Sequence, residues 1–190
     1  MDRSNNFEKS KITKASTDKV VTNVYFDSFG IEKVRFQNAN YNDKSTIDCY
    51  LDFEEVALLA TDAASGRLFK ELAEGQKTIS IGGSKSSKAY NGAPESRIVS
   101  LGMTEKTKDG KVVKTIFINM SSGKGKLGNN GQIMPDGQPT KKISVPVPID
   151  KFRSMMIYTY DSVRAYLTPM VNKIVKEAEE DRKNYQANNQ

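Results

Sequence analysis

Aromatic and cationic side chains sit side by side at several points of this chain, which is what contact with an unpaired nucleic-acid strand needs. Arg35-Phe36, Tyr41, Lys88-Ala89-Tyr90, and Lys114 with Phe117 offer the combination, and Lys111 is a further cation of the set. Rings stack on bases at about 1–3 kcal/mol per base while lysines follow the phosphates. Lys85, Arg97, Lys124 and Lys126 extend the cationic set. Each ring also has a plainer fate: Phe36 and Phe117 are of the type that fills a core. Tyr90, in a polar stretch with Lys85 and Lys88, is the ring best placed for exposure.

Other chemistry is scarce. The chain holds no histidine, so imidazole acid–base catalysis, Ser-His-Asp and Cys-His pairs, and His-ligated zinc are excluded. One cysteine, Cys49, excludes an internal disulfide and thiolate metal clusters held by this chain alone. On its apolar segment it reads as a small buried residue. Asp43, Asp48, Asp52, Glu54 and Glu55 crowd together without a metal-binding spacing, and Asp52 with Glu55 is explained by a helix capping box. Ser121-Ser122-Gly123-Lys124-Gly125-Lys126-Leu127-Gly128 lacks the order of a phosphate-binding loop. It reads as a basic loop that closes on a strand, or as a solvated one. The expectation is a binding protein, not an enzyme, with no cofactor and no metal.

Charge gives this a direction. The net charge is +6 over 190 residues. Residues 76–142 hold twelve basic and four acidic side chains, a net of +8, and the remainder is −2. A basic centre in a near-neutral frame is the footprint of a polyanion binder. Lysine outnumbers arginine within it, which favours phosphate contact over bidentate base reading. No segment has the length of apolar sequence that spans a membrane, and the first residues lack the apolar core of a secretory signal. With a lone cysteine, that makes the cytoplasm the expected compartment.

The elements that must position these groups follow from periodicity. Residues 1–18 are polar and read as a flexible arm. Strands are expected at 20–26, 31–41 and 45–51. A helix opens at Asp52, with Phe53, Val56, Leu59 and Ala63 at helical spacing; Gly66 bends or divides it and Gly75 ends it. Further strands are expected at 78–81, 97–103, 111–120 and 142–147, the middle two joined by a hairpin turn at Lys108-Asp109-Gly110. The connections 82–94 and 121–140 read as long loops. Asp150 then opens a longer helix, which Pro169 kinks or splits, and residues 179–190 form a polar tail. Strand runs each followed by a helix give an α+β fold built as a duplicated sheet-plus-helix unit, with residues 19–178 as one domain. In the long helix, Met155, Met156, Tyr160, Val163, Leu167 and Met170 make a stripe wider than one sheet face requires. Part of it is therefore expected at a subunit contact.

The element order resembles the Whirly-type single-stranded DNA-binding domain. The residues that carry the likeness are Ile143-Ser144-Val145-Pro146-Val147-Pro148-Ile149-Asp150-Lys151-Phe152, similar to that family's strand, Val-Pro, turn and helix passage. Ala165-Tyr166-Leu167 and the hairpin from Arg97 through Asn119 add to it. The family's basic Lys-Gly-Lys-Ala run is missing from the first strand, and Gly123-Lys124-Gly125-Lys126 is not its equivalent. The resemblance implies two antiparallel sheets packed crosswise, a homotetramer, and single strands along sheet surfaces. The expected function is largely sequence-independent binding of single-stranded DNA, in replication, recombination or DNA transfer. The alternatives are RNA on the same surface, or a protein partner docked on the long helix.

Overall fold

Two blocks of strands, each closed by helix, follow one another along the chain. The computed structural model describes residues 10–26 and 33–187. The first block is β1 (Lys11–Ser16), β2 (Val20–Phe26), β3 (Lys33–Asn40) and β4 (Ser45–Asp52), then α1 (Phe53–Ser65) and α2 (Arg67–Glu74). The second is β5 (Lys77–Ser84), β6 (Glu95–Lys108), β7 (Lys111–Leu127), β8 (Ile133–Pro135) and β9 (Lys141–Pro148), then α3 (Ile149–Ala187). The fold is α+β with two antiparallel sheets. One has the order β1-β2-β3-β4; in the other, β7 lies between β6 and β9, with β5 beyond β6 and β8 on the far end of β7.

Alternation decides which faces meet. Val34, Phe36 and Asn38 of β3 and Ile47, Cys49 and Leu51 of β4 are buried, with their intervening neighbours more exposed. Ile116, Ile118 and Met120 of β7 and Ile143, Val145 and Val147 of β9 answer them from the second sheet. β9 touches β1, β2 and β3 in turn, while β4 touches β5, β6 and β7, the pattern of strands that cross. Asn38 stitches the crossing: fully buried, it accepts from Thr22 Oγ1 at 2.6 Å and donates to the carbonyls of Ile118 (2.8 Å) and Ile143 (3.1 Å).

Several boundaries differ from the sequence reading. Residues 11–16 of the supposed arm form β1, because the edge of β2 offers ladder bonds and Ala15 reaches the core. Residues 1–9 and 27–32, including the start of the strand expected at 31, lie outside the described residues. Gly66, at φ 80°, divides the first helical run into α1 and α2. The capping box is present, with the Asp52 amide donating to Glu55 at 2.9 Å. Pro169 does not split α3, which runs as one element to Ala187 and so takes in most of the expected tail; residues 188–190 lie outside the described residues. The carbonyl that Pro169 leaves without a helical partner belongs to Ala165, whose side chain is exposed, where water can reach.

Much of the stripe expected in part at a subunit contact is internal to the chain. Met155, Met156 and Val163 are buried within the chain's own core beside Phe152, and Tyr160 and Leu167 pack against that core. The stripe is wide because α3 meets α1 along one side and β1 along another. The side chain of Met170 lies outside the described residues.

Cys49 is 5% exposed, and burial pushes its thiol from an ordinary value near 9 up to about 12. Ellman's reagent at pH 8 is therefore expected to leave the folded protein unmodified and to label it promptly in denaturant. The unfolded thiol ionises first as pH rises, so Cys49 weakens the fold progressively between about pH 9 and 12. Rapid labelling of the native protein at pH 8 would contradict this.

Candidate nucleic-acid interface

One face of the second sheet is turned away from the core. Since Ile116, Ile118 and Met120 point inward, Phe117, Asn119 and Ser121 point out. Cross-strand rows on this outer face run Gly102–Phe117–Pro146, Ser100–Asn119–Ser144 and Ile98–Ser121–Lys142. Most of the side chains are small or polar, with Ile98 and the ring of Phe117 the large apolar groups among them, and apart from Gly102 these positions are half-buried or exposed.

Lysines stand at both ends. Beyond Lys77–Leu101 on one side and Thr115–Pro148 on the other, β6 and β7 continue alone as a two-stranded ribbon. Its turn at Asp109 (φ 51°) and Gly110 (φ 72°) has both central residues left-handed, as a tight hairpin requires. Lys106 and Lys111 lie on the same side of this ribbon as Phe117, exposed. Lys114 lies on the opposite side, paired with Glu105 at 3.1 Å. At the other end Lys142 is exposed, and the segment carrying Lys85 and Lys88 is drawn in by a 2.6 Å hydrogen bond between the Tyr90 hydroxyl and Thr140. Lys111 and Ser121, ten residues apart on β7, are separated by about 33 Å. The face thus runs as a track between two clusters of cations.

At the level of Phe117 the track dips into a cleft of about 470 Å³, lined by Gln76, Gly102, Thr104, Phe117 and Asn119 and, from the end of α2, by residues that include Glu74. A second cleft, about 520 Å³, opens between β4 and β5. Its cations are already engaged: Lys33 with Asp52 at 2.7 Å, Arg97 with Glu95 at 2.9 Å. It offers a phosphate little.

The sequence-predicted residues therefore separate. Phe117 and Lys111 share the track, with Lys85, Lys88 and half-buried Tyr90 at its far end. Phe36 is 3% exposed and belongs to the core. Arg97 faces inward, bound to Glu95 and reaching the Asp48 carbonyl at 3.4 Å, so it braces the two sheets. Arg35 lies on the outer face of the first sheet, its guanidinium 4.4 Å from the Tyr25 ring centre, and exposed Tyr41 follows β3 there. The expected closing loop is strand: Ser121 to Leu127 completes β7, and Lys124 is paired with Asp136 at 3.3 Å, Lys126 being exposed near the end of the strand opposite Met134. Its glycines answer to packing. A Cβ on Gly123 would come within 2.9 Å of Pro139 Cα, and one on Gly125 within 2.9 Å of the Ser96 nitrogen.

Sequence reasoning missed Gln76, Gly102, Asn119 and the orientation of Lys106 and Lys142. The period of two in Ile116-Phe117-Ile118-Asn119 carried the signal for Asn119, since aliphatic residues on alternate positions leave its side chain facing outward. Among the described residues, no group of three or more histidine, cysteine, aspartate or glutamate side chains could hold a metal ion, and no helix is long and apolar enough to cross a membrane. Comparison with protein-family models, curated proteins and solved structures finds no match.

Proposed function

We propose that this protein binds single-stranded DNA along the outer face of its second sheet, largely without regard to sequence, in replication, recombination or DNA transfer. The observation that carries the reading is the track itself: an open, mostly small and polar strand surface with one aromatic ring, running between lysine clusters at its two ends. Phosphates are held by flexible point charges, and bases lie against the sheet. A duplex cannot offer unstacked bases to such a surface, so the reading excludes it as a competitor. The test is fluorescence anisotropy of a labelled oligo-dT across a salt series, with duplex and RNA of the same length as competitors. Tight, salt-sensitive binding that duplex does not displace supports the reading; displacement by RNA at equal concentration would move the assignment to RNA. Absence of binding at low salt would sink it.

The far end of the track gives a finer check. Replacing Lys85 and Lys88 together with alanine removes two cations from it. The slope of log affinity against log salt is then expected to become shallower by about 1.4, at roughly 0.7 per phosphate contact on a single strand. An unchanged slope would place the strand elsewhere.

A further inference from the structure

The cleft beside Phe117 is built more specifically than a phosphate track needs. Gly102 sits in the middle of β6, where a glycine weakens the strand and often marks a close approach by a ligand. Its backbone is not left-handed, and a Cβ would meet only ordinary contacts: Gln76 Cγ at 3.5 Å, Asn119 Nδ2 at 3.6 Å and Gln76 Nε2 at 3.6 Å. Neither turn geometry nor crowding demands glycine here. Two carboxamide NH₂ groups instead converge on the space its side chain would fill. Asn119 is fixed in that orientation because Ser144 Oγ donates to its Oδ1 at 2.6 Å, which turns the amide nitrogen toward the cleft. Phe117, the direct cross-strand neighbour of Gly102, supplies a ring to the same cleft.

Paired N–H donors above a bare backbone, next to an aromatic ring, suit a flat heterocycle that brings an acceptor oxygen. We propose that this cleft is a nucleobase subsite favouring bases with an exocyclic keto oxygen, which are thymine or uracil, guanine and cytosine, over adenine, which has none. This rests on the single-strand reading above and adds a base preference to it. The ring of Phe117 stacks on the base, and the Asn119 and Gln76 amides donate to its keto oxygen.

Gly102→Ala is the direct test, because the methyl occupies the point of convergence without forcing the fold. Full-length protein and variant are titrated with labelled dT and dA oligonucleotides of equal length, with urea unfolding as a check on stability. Since runs of adenine stack on themselves, the readout is the change in the dT to dA affinity ratio between the two proteins. The ratio is expected to fall about fivefold in Gly102→Ala, with the salt slope unchanged and the urea midpoint equal or higher, since alanine is ordered more readily than glycine within a strand. Phe117→Leu, which keeps an apolar side chain, is expected to weaken both oligonucleotides about tenfold. A ratio that stays the same in Gly102→Ala while dT still binds overturns the subsite and leaves the track standing. Failure of the parent protein to bind either strand overturns both.

Discussion

Asn38→Leu is expected to lower the stability of the folded protein by about 3 kcal/mol, seen as a fall in the urea midpoint at unchanged slope. Leucine has a similar size and suits the apolar surroundings, so packing is not the cause. The loss is of polar bonds that leave partners behind. The Thr22 hydroxyl, fully buried, loses its acceptor at 2.6 Å, and the Ile118 and Ile143 carbonyls lose a donor each. An orphaned buried group costs about 1–3 kcal/mol, and carbonyls engaged in a ladder cost less than a hydroxyl with no other partner. In a chain of this size the midpoint of thermal unfolding should drop by roughly 6–12 °C. Thr22→Val on the same background removes the orphaned hydroxyl, so the double variant should be more stable than the single effects added together. A neutral Asn38→Leu would mean that the crossing of the sheets is held by apolar contact alone.

Reversing both hairpin charges, Lys106→Glu with Lys111→Glu, is expected to weaken single-strand binding on the order of a hundredfold at 50 mM salt, and less as salt rises. Both residues are exposed on the ribbon, and neither has an ion pair among the described residues, so the fold should not notice. The same urea midpoint in parent and variant is the control. Each reversal removes one cation facing the strand and sets an anion in its place, at the hairpin end of the track. Lys114→Glu serves as the geometric comparison. It carries the same change of charge on the opposite side of the ribbon, where Glu105 already lies 3.1 Å from the lysine, and should weaken binding far less. Equal loss from both sides would show that the ribbon acts through net charge alone, and no loss from either would remove it from the site.

The sheets, the helices and the basic centre could be read from the residues, because their signals are local. Alternation at 45–51 and 142–147, the capping box at Asp52, and Gly66 as a helix breaker each depend on neighbours within a few positions. The errors arise where a distant partner decides. Ser121 to Leu127 carries loop composition, yet Gly123 and Gly125 are what let Pro139 and Ser96 approach a continuing strand. Arg97 and Lys124 looked like free cations in sequence and are bound by Glu95 and Asp136. The breadth of the methionine stripe likewise reflects distant partners, since α3 lies against both α1 and β1. β8 is only three residues long, so periodicity had nothing to register.

What the sequence determined by itself was the class of chemistry. Composition needs no fold: without histidine, and with a single cysteine, imidazole sites, internal disulfides and multi-thiolate metal clusters are closed to this chain whatever shape it takes, and the excess of lysine in its middle third persists in any conformation. What only the tertiary structure decided was which lysines and rings face one another. A strand sends successive side chains to opposite faces, so neighbours such as Lys114 and Phe117 part company, while Gly102, Phe117 and Pro146, far apart in sequence, line up in one row. Pairing and crossing of the two sheets bury one set of alternating positions and leave the other open, and that selection is made by contacts across the whole chain.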